Sequence, residues 1–129
     1  MMASNKMTND QIPMTNEAAA QSLSDKQPKF DLAERTARFG EQAVRFCRTL
    51  KFDAVLSPLV KQLVRSSTSI CANYLEADEA GSKKEFRYRI SVCKREARES
   101  QHWLRMIVAA EPAVRDTAIE LWKEAKELV

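Results

Sequence analysis

The sequence predicts an all-α protein, an antiparallel up-down-up-down four-helix bundle, on three observations. Only two glycines and four prolines occur in 129 residues. That is too few for the turns of a sandwich or barrel, or for the clustered glycines of a dinucleotide or P-loop site. Apolar residues recur at three-and-four spacing in four separate stretches, the period of a helix with one buried face. Helix start and stop residues separate those stretches at short intervals, so successive helices must turn back on one another. The length suits one domain.

Residues 1–28 have scattered apolar positions, two prolines and many Ser, Thr, Asn and Gln. Such a segment cannot bury enough surface to offset its ordering entropy, so a disordered tail is expected there, with the bundle over 29–129. Asp31 followed by Glu34 resembles a capping box, and Leu32, Phe39, Ala43, Phe46 and Leu50 carry the buried stripe of a first helix over 31–51. Ser57-Pro58 reads as an N-cap and first-turn proline. The second helix, 58–80, places Leu59, Leu63, Ile70 and Tyr74 on one stripe, flanked by Val60, Val64, Ser67 and Cys71, and stops with Gly81 as its C′ residue. Within it, the small residues Ser66, Ser67, Thr68 and Ser69 allow a neighbouring helix to approach closely.

Ser82 and Glu85 form a capping box for the third helix, 83–109. Phe86, Ile90, Cys93, Ala97, Ser100, Leu104 and Ile107 alternate at four and three along it, a bundle seam. Glu111-Pro112 restarts the chain, and Val114, Ala118, Leu121, Ala125 and Leu128 repeat the alternation in a fourth helix, 113–128.

The net charge of +3 conceals where the charge sits. Residues 83–105 hold eight cations against three acids, whereas the rest of the chain is slightly acidic. At about 100° per residue, Lys83, Lys84, Arg87, Lys94, Arg95, Arg98 and Arg105 fall within an arc of about 120° on the third helix. A row of like charges is costly in self-repulsion unless an anion screens it, and a phosphate backbone is the obvious polyanion. The same row also suits a solvated face, or acids on another helix or subunit.

A second polar stripe, Gln62, Arg65, Ser69, Asn73 and Glu76, lies beside the seam of the second helix. Antiparallel pairing predicts ion pairs of Arg65 with Glu96 and of Glu76 with Arg87, whose work is to fix helix register or a subunit contact. Trp103 and Trp122 sit in apolar contexts and read as core or interface anchors.

Catalytic and metal chemistry find little support. Cys47, Cys71 and Cys93 occupy apolar helical positions without CxxC spacing and read as reduced, buried thiols. Glu99 and His102 make one Glu-x-x-His where a di-iron bundle needs two, and no second histidine exists. Cys93 and His102 point to nearly opposite sides of their helix, so no nucleophile–base dyad forms. No catalytic residue, cofactor or metal is expected. No apolar run is long enough to span a bilayer, so the expected place is the cytoplasm, with no membrane partner.

Residues 62–107, QLVRSSTSICANYLEADEAGSKKEFRYRISVCKREARESQHWLRMI, closely resemble the four helix bundle proteins encoded in intervening sequences of bacterial 23S rRNA genes. The resemblance runs from about Phe30 to the end of the chain. Two departures stand out: Cys71 where a glycine is expected, which suggests altered packing between the second and third helices, and an end at Val129 where relatives often continue the fourth helix. The resemblance implies an up-down bundle that assembles as a ring-like homopentamer without established enzymatic activity. The accessory proteins of diversity-generating retroelements look similar in fold, and by that analogy the basic residues face RNA or a protein partner such as a reverse transcriptase. Two functions follow as alternatives. One is an oligomeric RNA-binding bundle using the basic face of the third helix; the other is a protein-interaction scaffold or accessory subunit that contacts no nucleic acid.

Overall fold

The apolar stripes wind into four α-helices in the computed structural model, which describes residues 31–128. They are α1 (Leu32–Arg48), α2 (Leu56–Asp78), α3 (Lys83–Ala110) and α4 (Arg115–Leu128), with a short 3-10 turn over Pro112–Val114. No strand occurs among the described residues. The expected tail over 1–28 lies outside them.

One core joins all four helices. Phe39 and Phe46 of α1, Leu56, Leu63 and Ile70 of α2, Cys93, Ala97, Leu104 and Ile107 of α3, and Ala118, Leu121, Ala125 and Leu128 of α4 cluster with little or no exposure. Burying each large aliphatic side chain contributes about 1.5–3 kcal/mol, so this cluster is the main source of stability. The seam expected on α3 is shorter than its periodicity. Its core residues begin at Cys93, and Phe86 is 44% exposed beside the α2–α3 turn.

The interface of α2 with α3 is the most extensive. Arg65 meets Glu96, the Ser66 hydroxyl meets that of Ser100 at 2.8 Å, Cys93 donates to the Ile70 carbonyl at 3.4 Å, and Arg89 meets Asn73. From Ser66 through Ile70 to Asn73 on α2, the partners run back from Ser100 through Cys93 to Arg89 on α3. Each hydroxyl also has a carbonyl acceptor, Leu63 at 3.4 Å for Ser66 and Glu96 at 3.0 Å for Ser100, so either one can supply the hydrogen between them.

Small residues set the α1–α2 distance. A Cβ placed on the buried Gly40 would stand 3.4 Å from the Ser67 carbonyl oxygen and 3.6 Å from the Thr68 Cα, so the two backbones nearly touch. Cys71 continues this contact, its thiol 3.8 Å from the Ala33 carbonyl oxygen. The cysteine at the position of the expected glycine therefore also bears on α1. Arg35 of α1 grips Glu124 of α4 through two hydrogen bonds of 2.9 and 3.2 Å. That pairing raises the Arg35 guanidinium pKa, against the opposing effect of burial.

Helix ends show where local signals were misread. α1 stops at Arg48, where Thr49 and Leu50 donate to the Phe46 and Cys47 carbonyls at 3.0 and 3.2 Å in a tightened last turn. α2 begins at Leu56 rather than at Pro58, because Asp53 provides the cap. Its Oδ1 accepts from the Val55 and Leu56 amides at 2.9 and 2.7 Å. The expected cap, Ser57, is already helical and its hydroxyl is buried without a hydrogen-bond partner.

At its other end α2 closes through Glu79, whose amide reaches the Glu76 carbonyl at 3.2 Å. Gly81 has no left-handed backbone and open space around its Cα, so it is not the helix-terminating glycine expected. Ser82 does cap α3, with its hydroxyl accepting from the Glu85 amide at 3.1 Å on an extended backbone.

Candidate nucleic-acid interface

α3 runs unbroken for 28 residues from its Ser82 cap, so side chains along it keep a constant angular order. Lys83, Lys84, Arg87, Lys94, Arg95, Arg98 and Arg105 are all exposed. From Lys83 to Arg105 the row rises about 33 Å at 1.5 Å per residue. None of these seven cations forms an ion pair among the described residues.

Two of the three acids of the same helix, Glu96 and Glu99, are turned the other way, while Glu85 is exposed in the first turn. Glu96 is buried, with its carboxylate 3.2 Å from the Arg65 guanidinium, and Glu99 takes a second nitrogen of the same arginine. α3 is therefore divided lengthwise, with these seven cations outward and the carboxylates of Glu96 and Glu99 drawn toward α2. Arg65 with Glu96 is the pair that antiparallel register predicts.

The other expected pair is replaced. Glu76 lies 3.9 Å from Arg89 and not from Arg87, because Arg89 sits about 200° around the helix from Arg87 and so projects toward α2. Arg87 stays in the exposed row. The rest of the polar stripe supports this arrangement. Ser69 donates to the Ser66 carbonyl at 3.0 Å, the Asn73 amide nitrogen donates to the Ser69 carbonyl at 2.9 Å, and the Asn73 oxygen accepts from Arg89 at 3.1 Å. Sequence reasoning missed Arg89 as an inward residue. The signal was present, since the register that sets Arg65 opposite Glu96 sets Asn73 opposite Arg89.

The thiols differ from the expectation of burial. Cys93 is buried, but Cys47 and Cys71 are only half-buried. Burial pushes the Cys47 thiol up to about 11 and raises that of Cys93. Both are poor nucleophiles near neutral pH. Trp103 is half-buried against the core, whereas Trp122 is exposed, with the Lys126 ammonium 5.7 Å from its ring centroid. His102 is exposed and meets Trp103 edge-on at 4.6 Å between centroids.

No group of three or more His, Cys, Asp or Glu side chains among the described residues could hold a metal ion. Clefts of about 410 and 480 Å³ lie between α1 and α2 and between α1 and α4, and α3 lines neither. No helix among the described residues is long and apolar enough to cross a membrane.

The fold and this face define a class: all-α, four helices around one core, with a cationic row on the longest helix. A family model described as 23S rRNA-intervening sequence protein matches residues 28–129, and the chain belongs to that family. Among solved structures, it is similar to a protein of unknown function from the S23 ribosomal protein family of Bacteroides thetaiotaomicron VPI-5482. That similarity has a TM-score of 0.67 at 25% identity and covers 75% of this chain and 90% of that one. No curated protein matches the chain.

Proposed function

We propose that this chain is a non-enzymatic, homo-oligomeric bundle, up-down-up-down and pentameric, that binds structured RNA through the basic face of α3. The observation that carries the reading is the lengthwise division of that helix. Seven exposed cations have no internal counter-charge among the described residues, while Glu96 and Glu99 are committed to Arg65. A charge row left unscreened within the subunit favours an external polyanion, and phosphate is the group that releases counterions when lysines and arginines bind it. The family's description refers to 23S rRNA, which makes RNA the polyanion to test first. Five copies of the row on one particle would turn weak contacts into avid binding.

The test is fluorescence anisotropy of a labelled rRNA stem-loop titrated with the protein at several salt concentrations. Log affinity should fall linearly with log salt, with a slope of several phosphate contacts. Lys94→Glu combined with Arg98→Glu should abolish binding while circular dichroism shows an intact fold. Unchanged affinity in that variant removes the α3 row as the site. If the reversal instead changes the particle mass in light scattering, the row faces a neighbouring subunit and the scaffold reading replaces this one.

A further inference from the structure

We propose that Tyr88 is a stacking platform for an unpaired base, so that the α3 row takes RNA with looped or single-stranded nucleotides in preference to uninterrupted duplex. The inference rests on the reading of that row as an RNA surface.

Tyr88 is 57% exposed and takes no part in the core cluster. Its angular position borders the cationic arc, about 20° beyond Arg95. Along the axis Lys84 stands about 6 Å below it and Arg95 about 10 Å above it. An exposed aromatic ring thus has a cation on either side, where the phosphates of a strand crossing the ring would pass.

The ring is also steadied from behind. The Arg89 guanidinium carbon lies 5.6 Å from its centroid, and Arg89 is itself held by Asn73 at 3.1 Å and Glu76 at 3.9 Å. A cation fixed against the ring by α2 restrains its orientation and leaves the remaining ring surface to solvent. The α2 stripe then has a second consequence besides register, since it orients Arg89 and through it Tyr88. Arg89 and Asn73 are positioning residues.

Selectivity follows from what each RNA form offers. In an A-form duplex the bases are stacked on one another and the major groove is too deep and narrow for side chains. Along such a duplex a ring on a helix surface can meet sugar, phosphate and the minor-groove base edges, but no free base face. An unpaired nucleotide offers its free face, and base–aromatic stacking adds to phosphate contacts without demanding a particular sequence.

The experiment compares two labelled RNAs with the same number of phosphates, a stem-loop with a single-stranded loop and a blunt duplex, binding to the full chain. Wild type should bind the stem-loop about tenfold more tightly than the duplex. Tyr88→Leu should lose that preference while keeping its affinity for duplex, and Tyr88→Phe should retain it. Circular dichroism and light scattering should be unchanged in both variants. Equal wild-type affinity for the two RNAs, or a preference that survives Tyr88→Leu, overturns the stacking proposal and leaves the phosphate-binding reading in place. Binding of neither RNA at low salt overturns both. A parallel loss for both RNAs in Tyr88→Leu with a changed particle mass also overturns stacking, because the ring is then a subunit contact.

Discussion

Arg65 of α2 holds Glu96 of α3 at 3.2 Å, and the Glu96 side chain keeps only 11% of its surface in water. The Glu96 backbone carbonyl lies 3.0 Å from the Ser100 hydroxyl, which is buried against that of Ser66 at 2.8 Å. A polar layer thus crosses the α2–α3 interface between apolar layers, and sliding either helix would strand its members without partners.

Arg65→Met should therefore destabilise the fold by about 1–3 kcal/mol, since it leaves a nearly buried carboxylate unpaired. The half-exposed arginine places the effect below that of a fully buried pair. Adding Glu96→Met should recover most of the loss. Urea denaturation reads this as a lowered midpoint at unchanged slope, restored in the double variant.

At the α1–α2 contact, Gly40→Ala should be tolerated or mildly stabilising. The new methyl would stand 3.4 Å from the Ser67 carbonyl oxygen, an ordinary contact, and alanine favours a helix interior by about 0.5–1 kcal/mol over glycine. Gly40→Leu should cost about 1–3 kcal/mol by forcing the backbones apart. Thermal denaturation of the two variants should move in opposite directions.

The start of α2 separates a true cap from an apparent one. Asp53→Ala should cost about 1 kcal/mol, because two amides lose their acceptor. Ser57→Ala should leave stability within about 0.5 kcal/mol of wild type or raise it, because a buried hydroxyl with no partner is removed. A large loss in Ser57→Ala would show that the hydroxyl has an acceptor in solution.

Cys47 should make stability depend on pH in the alkaline range. Its folded-state pKa of about 11 lies above that of the thiol in an unfolded chain. Between those values the unfolded state has lost a proton that the native state still holds, so stability falls as pH rises through this window. Below the unfolded value the contribution is fully present. Subtracting the pH profile of Cys47→Ala from that of wild type in urea denaturation isolates it, and a flat difference would contradict the burial of this thiol. Alkylation of Cys47 at neutral pH should also be slow relative to the urea-unfolded chain.

Much of the fold is legible in the residues because helical periodicity is local. Val114, Ala118, Leu121, Ala125 and Leu128 repeat at four and three, and four of the five are buried in α4. Ser82 caps α3 because a serine with a glutamate three residues on satisfies end amides by itself. The charge row is legible for the same reason, since angular position along a continuous helix depends only on residue number. Ser57 and Gly81 were misleading because capping depends on the path of the chain into and out of the helix. At position 53 an aspartate reached the amides first.

By itself, the sequence determined four helices, their buried stripes, the α3 cap and the placement of seven cations on one face. Each follows from the 3.6-residue period or from a hydrogen bond within a few residues. The tertiary structure alone decided that Arg65 takes Glu99 as well as Glu96, that Cys71 and Ser67 face α1, and that Phe86 lies outside the core. Those outcomes depend on axial register and on the rotation of each helix about its own axis. They are set by how close two backbones can come, here at Gly40 and Ser67, a distance encoded in the facing surfaces of two helices jointly and in neither one alone.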